Sequence, residues 1–266
     1  MGLTAPTPSG FYDRWTELFQ RGFGSVLQAG MVKTGDPPQE NPRRSILALV
    51  ERAGLQDGDR VLDAGCGVGG PAIIIGAHYP EVAIEGVTNS VHQSAIARAE
   101  ITAAGLSHRV RVHVADYQQL PFPSGMFDQV LFFESTGYAT DLEATYDEAH
   151  RVLRPGGRLY VKDVFSNSGP LRNGDAEWLL AFDRLWGCVR SKTLDESVDA
   201  MTGAGFEVML SQPMEDIGTT RFVGSMVVLD DVVGLRPTEL GHVFLSRGLN
   251  PPIQFGEIRA VKPGPA

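Results

Sequence analysis

Cysteine is scarce in this sequence: Cys66 and Cys188 are the only two among 266 residues. Two cysteines predict neither a disulfide framework nor a structural zinc site. Long apolar runs are also missing, since no stretch approaches the roughly 18 residues of a membrane-spanning helix. Residues 1–10 lack the basic and apolar regions of a secretory signal. These absences predict a cytoplasmic protein without stable membrane insertion.

Positive charge is in deficit. Lys and Arg together number 23 against 32 Asp and Glu, which gives a formal net charge of −9. General binding to nucleic acid or to an anionic membrane is therefore not expected, because both need a positive surface field. A small-molecule substrate is expected instead. The sequence leaves the oligomeric state open, with a homo-oligomer as one alternative.

What the chain does contain is a regular alternation of strand and helix patterns. Five strands are predicted, with helical patterns between most of them, at Arg60–Ala64, Ala83–Val87, Val110–Val114, Asp128–Phe133 and Arg158–Val164. Such alternation predicts an α/β fold with a parallel sheet covered by helices. Pro155-Gly156-Gly157 is predicted as a tight turn before the fifth strand. Later strands are predicted at Phe206–Ser211 and Ile253–Val261, with an apolar segment at Phe222–Leu229.

The pattern also divides the chain into an N-terminal helical arm and a larger domain. Apolar and aromatic residues recur at helical spacing between Phe11 and Phe23, and a segment with glycine and proline follows. Residues 1–44 are therefore predicted as an arm or lid, and residues 45–266 as the main domain. A polar stretch and two helical patterns predict a cap at about residues 166–205.

The most informative stretch is the glycine-rich loop after the first predicted strand. Gly65, Gly67 and Gly70 fit the G-x-G-x-x-G spacing of a nucleotide-binding loop. A dinucleotide site would also need an acidic residue at the end of the second strand, whereas Glu85 lies inside that strand. Asp63, just before the loop, would repel a pyrophosphate but suits the amino group of an amino-acid ligand. A solvated turn aspartate is the alternative.

Two further motifs follow in the order of a known family. They are Asp116-Tyr117 after the third strand and Leu153-Arg154-Pro155-Gly156-Gly157 before the fifth. With the glycine loop they cover about residues 45–165, and the combination resembles class I S-adenosylmethionine-dependent methyltransferases. The resemblance implies a Rossmann-like, seven-stranded, mostly parallel sheet with helices on both faces, and S-adenosylmethionine as cofactor.

By that resemblance, the loop backbone would approach the methionine part of the cofactor. Asp116 would accept a hydrogen bond from the adenine amino group, and Tyr117 would lie beside the ring. Where many members carry an acidic ribose ligand, residues 86–93 read Gly-Val-Thr-Asn-Ser-Val-His-Gln, which is similar to cyclopropane synthases and to sterol and related C-methyltransferases. Thr88, Asn89 and Gln93 would then serve the ribose or methionine groups. The full predicted cofactor set is Asp63, Gly65, Cys66, Gly67, Thr88, Asn89, Gln93, Asp116, Tyr117 and Phe133.

The acceptor side is predicted from residues 131–138, which read Leu-Phe-Phe-Glu-Ser-Thr-Gly-Tyr. Glu134 follows the fourth strand at the carboxyl edge, where ligands of open α/β folds bind. A carboxylate among aromatic side chains can remove a proton after methyl transfer to carbon; a helix-capping or solvent-facing glutamate is the alternative. Glu134-Ser135-Thr136 with Tyr138 and Asp141 resembles bacterial prenyl-diphosphate C-methyltransferases of the geranyl diphosphate type and, more distantly, sterol C-methyltransferases.

This second resemblance implies that an alkene attacks the sulfonium methyl group and that Glu134 removes a proton last. Aromatic faces would stabilise the intervening carbocation by roughly 0.5–2 kcal/mol per contact. Tyr12, Tyr138 and Trp186 complete the predicted catalytic set. Trp186 is included because its position before Gly187-Cys188 approximates an aromatic–glutamate–cysteine stretch of the geranyl diphosphate enzymes. Core packing is the alternative for each aromatic residue.

The sequence thus predicts an S-adenosylmethionine-dependent C-methyltransferase that methylates an alkene carbon of a prenyl diphosphate. A diphosphate would need cations, with Mg²⁺ as an implied companion; no Asp-rich metal motif is evident, so metal ligands are not assigned. The candidate cations are Arg43, Arg44, Arg172, Arg184, Arg190 and Lys192. The alternatives are methylation of oxygen, nitrogen or carbon in another small natural product or a sterol-like alkene, a noncatalytic binding module, and an NAD-dependent reductase.

Overall fold

A computed structural model describes residues 10, 12–13, 15–17, 20, 24–26, 41–214 and 251–264 of the chain. Its strands are β1 Arg60–Ala64, β2 Ala83–Thr88, β3 Val110–Val114, β4 Phe127–Phe133, β5 Leu153–Ser166, β6 Glu207–Pro213 and β7 Ile253–Val261. They form one seven-stranded sheet in the order β3-β2-β1-β4-β5-β7-β6. Strand β7 runs antiparallel to β5 and β6, whereas β1 to β5 pair in parallel. The predicted Rossmann-like, mostly parallel fold is confirmed.

Helices cover both faces of this sheet. They are α1 Asn41–Arg52, α2 Gly70–His78, α3 Val91–Ala103, α4 Leu142–Val152, α5 Asp175–Trp186 and α6 Leu194–Gly203, with a 3₁₀ turn at Thr136–Tyr138. Side chains of α1, α2 and α3 share one buried cluster with β1 and β2, and those of α4 and α6 share another with β4 and β5. None of the helices in the described part of the chain has the length and apolar character needed to cross a membrane.

Side-chain caps explain where three of these helices begin. The Ser90 side chain accepts the hydrogen bond of the Gln93 backbone N–H at the start of α3, and Asp141 accepts that of Ala144 at the start of α4. Thr193 and Glu196 form a reciprocal capping box at the start of α6. Each cap satisfies a backbone donor that the helix itself cannot pair. These capping residues therefore fix where α3, α4 and α6 begin.

The turn predicted at Pro155-Gly156-Gly157 is wrong, because β5 already begins at Leu153. Pairing with β4 jumps from Phe127↔Leu153 to Gln129↔Arg158, so the residues between leave the β4 register. Their backbone pairs elsewhere: Gly156 N donates to Lys262 O at 2.8 Å, and Lys262 N donates to Gly157 O at 2.9 Å. The residues after β7 thus hold this stretch within β5, although Gly156 keeps a left-handed φ of 74°. Local sequence does not encode that contact.

The two helices of the predicted cap pack differently. Helix α5 contributes Trp178 and Phe182 to a separate buried cluster, whereas α6 contributes Leu194 and Met201 to the core shared with α4. At the N-terminus, residues 10, 12–13, 15–17 and 20 are helical. The predicted segment Phe222–Leu229 lies outside the described residues. The division into arm, main domain and cap stays a prediction.

Candidate functional site

The glycine loop lies at the carboxyl end of β1, where the sheet order changes direction. Gly65, Gly67 and Gly69 have φ values of 89°, 54° and 82°, in the left-handed region that favours glycine. The Gly65 backbone N–H donates to Val87 O at 3.0 Å, and the next N–H donates to the same oxygen at 2.9 Å. A Cβ on Gly65 would collide with Ser135 Cβ. The loop therefore presents bare backbone between β2 and the end of β4.

Cys66 faces the core from this loop. Its side chain is 2% exposed, and burial raises the pKa of its thiol. A Cβ on Gly86 of β2 would lie 2.9 Å from the Cys66 Sγ, so glycine at that position makes room for the thiol. Cys66 thus anchors the loop to β2, and only its backbone lies along the loop.

Asp63 is a buried carboxylate at the end of β1. It is 1% exposed, and its Oδ2 has no hydrogen-bond partner among the described residues. Burial raises the pKa of this carboxyl to about 7. An unpaired buried acceptor is costly, so this oxygen suits an external donor such as a ligand amino group. The alternative of a solvated turn aspartate is wrong.

The next three predicted ligands lie at the end of β2 and the start of α3. Thr88 Oγ1 donates to Gln93 Oε1 at 2.9 Å, so these two buried side chains bind each other. The Gln93 amide faces the loop, since its Nε2 lies 3.9 Å from where a Cβ of Gly67 would be. Asn89 is exposed just after the strand.

The end of β3 carries Asp116 and Tyr117. Asp116 is exposed, and its Oδ1 accepts the Gln118 N–H at 2.8 Å. The Tyr117 hydroxyl donates to Ser135 O at 2.8 Å, and its ring meets Phe132 edge-on with centroids 5.5 Å apart. Tyr117 therefore ties the β3 end to the β4 end, with Asp116 beside it at the same sheet edge.

Glu134 directly follows β4. Its φ is 54°, the only positive φ of a non-glycine residue in the described part of the chain, and such backbone strain is concentrated at functional sites. Its N–H donates to Lys162 O at 2.7 Å, and its carboxylate forms an ion pair with the Lys162 ammonium. The side chain is 16% exposed, so the solvent-facing alternative does not describe it.

The turn after Glu134 is held by two buried charged residues. Asp163 Oδ2 accepts hydrogen bonds from Thr136 N at 2.8 Å and Thr136 Oγ1 at 2.7 Å. Lys192 Nζ donates to Thr136 O at 2.9 Å and to Ala139 O at 3.1 Å. Sequence reasoning missed the roles of Lys162 and Asp163. The available signal was a charged pair between the apolar residues 159–161 and 164–165 of one strand.

Two predicted catalytic tyrosines meet beside this turn. The Tyr12 hydroxyl donates to the Tyr138 hydroxyl, and the rings meet edge-on with centroids 5.2 Å apart. Burial raises the pKa of both phenols, and the Glu134 charge raises the pKa of Tyr12 further. Tyr12 therefore lies close enough to Glu134, the predicted base, for the carboxylate charge to act on its phenol.

Trp186 and Phe133 are the next predicted aromatic residues. Trp186 is half-buried and packs against the α5 cluster. Phe133 is 2% exposed and meets Tyr160 edge-on within the core. The placement of Phe133 agrees with the core-packing alternative for that residue.

Most of the predicted cap cations already have partners. Arg172 pairs with Asp175, and Arg190 donates to both carboxylate oxygens of Glu196. Lys192 is committed to the carbonyls of the turn. The remaining candidates are exposed: Arg43, Arg44 and Arg184. Among the described residues, no group of three or more His, Cys, Asp or Glu side chains could hold a metal ion.

Comparison with known proteins places this site in a family. Residues 61–157 match the family described as "Methyltransferase domain". The sterol 24-C-methyltransferase erg6 of Aspergillus fumigatus is 31% identical over 211 residues, which are 77% of this chain and 55% of that protein. The chain thus spans about half the length of the curated relatives it matches.

Solved structures share the fold. The [4+2]-cyclase SpnF superposes with a TM-score of 0.81 at 24% identity over 100% of both chains. Geranyl diphosphate C-methyltransferase from Streptomyces coelicolor A3(2), crystallised with Mg²⁺, geranyl-S-thiolodiphosphate and S-adenosyl-L-homocysteine, superposes with a TM-score of 0.66 at 20% identity, over 89% of this chain and 85% of that one. At these identities the likeness concerns the fold alone.

Proposed function

Since the chain belongs to the class I S-adenosylmethionine-dependent methyltransferases, we propose that it methylates an alkene carbon of an isoprenoid acceptor. The predicted family and cofactor are confirmed, which sets aside the NAD-dependent reductase. The observation that carries the proposal is Glu134, held by Lys162 in a left-handed backbone conformation at the carboxyl edge of the sheet, with Tyr12 and Tyr138 beside it.

The residues present fit S-adenosylmethionine. The unpaired Asp63 Oδ2 would accept from its amino group, and the backbone of Gly65 to Gly67 would lie along its methionine part. Asn89 would serve the ribose, and Asp116 with Tyr117 the adenine. When bound, the cofactor supplies an electrophilic methyl group on a sulfonium. These ligand roles are part of the proposal.

An alkene suits the acceptor side because it needs no base to begin. The alkene electron pair would form the new bond to the methyl carbon while the methyl–sulfur bond breaks and S-adenosylhomocysteine leaves with that electron pair, and a positive charge would remain on the neighbouring alkene carbon. The rings of Tyr12 and Tyr138 would stabilise that charge, by roughly 0.5–2 kcal/mol per contact. Glu134 would then take the adjacent proton, and the C–H electron pair would restore an alkene.

Two acceptor classes follow, distinguished by charge. The prenyl diphosphate predicted from the sequence has support in the fold shared with the geranyl diphosphate enzyme. An uncharged, sterol-like alkene has support in the sterol 24-C-methyltransferase relatives. The partners of Arg172, Arg190 and Lys192 favour the uncharged class, because a diphosphate would have to compete for those cations. Mg²⁺ remains tied to the diphosphate class.

A second candidate function comes from the likeness to SpnF over both complete chains. That protein is named a [4+2]-cyclase, so the fold is not limited to methyl transfer. In this alternative, the chain would bind S-adenosylmethionine and transform a substrate without transferring the methyl group of the cofactor.

One incubation tests these possibilities. The protein is given methyl-labelled S-adenosylmethionine and, separately, isopentenyl, dimethylallyl, geranyl and farnesyl diphosphates, the corresponding alcohols, and an uncharged sterol with a side-chain alkene. Mass analysis then reports label on carbon. Labelled diphosphates with unlabelled alcohols would support the prenyl diphosphate, and labelled sterol the uncharged class. Cofactor binding without label in any acceptor would refute alkene methylation in this set.

A further inference from the structure

Lys162 is a lysine in the interior of the sheet. It is 0% exposed on β5, between β4 and β7, and its register partner on β4 is Phe133. Its ammonium lies 4.6 Å from the centroid of the Phe255 ring. A lysine is almost never fully buried unless it is paired, and here the ammonium forms an ion pair with Glu134.

Lys162 binds both the backbone and the side chain of Glu134. Its carbonyl accepts the Glu134 backbone N–H at 2.7 Å, and its ammonium binds Glu134 Oε1. Successive side chains of a strand point to opposite faces, so Asp163 holds Thr136 from the other face of β5. Two neighbouring residues of one strand therefore fix the segment from Glu134 to Thr136.

We propose that Lys162 is a positioning residue for Glu134, orienting its carboxylate and keeping it ionised between turnovers. The role of Glu134 as base rests on the proposed function; the charge pairing does not. When Glu134 accepts the acceptor's proton, the buried ammonium loses its counter-charge. That state favours release of the proton to water and restores the ion pair.

The other titratable groups near this pair come from several elements. Tyr12 lies in the N-terminal helical segment, and the Glu134 charge raises the pKa of its phenol. Glu257 lies opposite Lys162 on β7 and is held by Tyr160, Gln212 and Arg52. Tyr138, Cys188 and Asp163 surround the turn, and Asp63 lies on β1 beside β4.

The charge pairing is tested by thermal unfolding between about pH 5 and pH 8 in four proteins: the original, Lys162→Met, Glu134→Gln and the double variant. Without the ammonium, burial raises the folded-state pKa of the Glu134 carboxyl above its unfolded value of about 4.3. The folded protein then binds more protons than the unfolded chain, so stability falls as pH rises. We expect stability to fall more steeply with rising pH in Lys162→Met than in the double variant, which keeps the fall caused by buried Asp63.

Asp63 and Asp163 are present in all four proteins. Loss of the Lys162 charge, which lowers the pKa of Asp163, is common to Lys162→Met and the double variant, so these contributions cancel between those two proteins. Equal pH dependence of Lys162→Met and the double variant would overturn the proposal. If Lys162→Met does not fold but the double variant does, the unpaired carboxylate is the cause, which supports it. If both fail to fold, Lys162 serves the fold without regard to Glu134, and the proposal is wrong.

Turnover gives the second readout. In Lys162→Met we expect methyl transfer at pH 7 to fall about tenfold or more, with the acid limb of the kcat–pH profile displaced upward by about one pH unit or more. A lower kcat with an unmoved profile would indicate a merely structural role and contradict the proposal. If the original protein methylates no acceptor, the proposed function fails, and the unfolding comparison still decides whether Lys162 sets the charge of Glu134.

Discussion

The two halves of the site are built by different means. On the cofactor side, positions are set by backbone: the left-handed glycines from Gly65 to Gly69 and the N–H groups that bind Val87 O. On the acceptor side, they are set by side chains from distant segments: Tyr12 meets Tyr138, and Lys162 meets Glu134. One half is encoded within a short stretch of chain, and the other depends on the finished fold.

The halves also differ in how their buried carboxylates are satisfied. Asp163 on the acceptor side accepts hydrogen bonds from Thr136 N, Thr136 Oγ1 and Val164 N. Asp63 on the cofactor side keeps a buried oxygen without a partner among the described residues. On the acceptor side, the buried carboxylate of Asp163 is therefore satisfied by groups of the protein itself. On the cofactor side, Asp63 has an oxygen that a hydrogen-bond donor of a ligand would satisfy. This contrast predicts which substitutions affect chemistry and which affect binding.

Glu134→Gln should have the largest effect on turnover, and this effect should be limited to the acceptor side of the site. We expect turnover to fall about 10²–10⁴-fold, because the amide cannot take the final proton. The affinity for S-adenosylhomocysteine, measured by calorimetry, should stay unchanged because the predicted cofactor ligands remain. Unimpaired product formation would remove Glu134 as the base, and loss of cofactor binding would show that the two halves are not separable.

Gly65→Ala should show the opposite pattern. Its φ of 89° strains any side chain, and the new Cβ would collide with Ser135 Cβ. We expect a loss of roughly 2–4 kcal/mol in the free energy of unfolding, with weaker S-adenosylhomocysteine binding. Gly105→Ala is the matched control, since Gly105 has φ 72° with nothing within 4 Å of an added Cβ. Gly105→Ala should lower the free energy of unfolding by about 1–2 kcal/mol and leave cofactor binding intact. Equal losses of S-adenosylhomocysteine affinity in both variants would contradict the prediction.

Asp63→Asn should move stability and binding in opposite directions. The pKa of Asp63, about 7, lies above the unfolded value of about 3.9. The cofactor-free fold therefore keeps a proton that the unfolded chain loses, and Asp63 lowers stability as pH rises from about 4 to about 7. The variant should lack this fall and be the more stable protein at pH 8.

Binding should change the other way in Asp63→Asn. Loss of a hydrogen bond to a charged partner costs about 1.5–3 kcal/mol, which is roughly a 10–100-fold weaker affinity for S-adenosylhomocysteine. Calorimetry at pH 8 and thermal unfolding across the pH range measure both effects. An unchanged affinity would mean that Asp63 does not contact the ligand, and the unpaired oxygen would need another explanation.

The same contrast explains how much could be predicted from the sequence. The strand, Asp63 and the glycine loop are consecutive, so their arrangement follows from local pattern, and the fold, family and cofactor predictions are confirmed. Lys162 and Asp163 were missed because their partners, Glu134 and Thr136, lie 28 and 27 residues away in the segment that follows β4. Pro155-Gly156-Gly157 was mistaken for a turn because Lys262, which pairs with it, lies beyond the last strand. The individual ligand and catalytic roles stay predictions.

Tyr138→Phe should have the smallest effect and decide whether rings or hydroxyls matter on the acceptor side. It removes the hydroxyl that Tyr12 binds, so we expect the free energy of unfolding to fall by about 0.5–1.5 kcal/mol. We expect kcat/KM to change by no more than about tenfold, because the aromatic face that would stabilise a carbocation remains. Tyr138→Leu is the comparison, since it removes both ring and hydroxyl, and should reduce kcat/KM well beyond the Phe variant. If Phe and Leu reduce kcat/KM equally, the hydroxyl rather than the ring is required, and the acceptor would be one that hydrogen-bonds to a phenol instead of an alkene that becomes a cation.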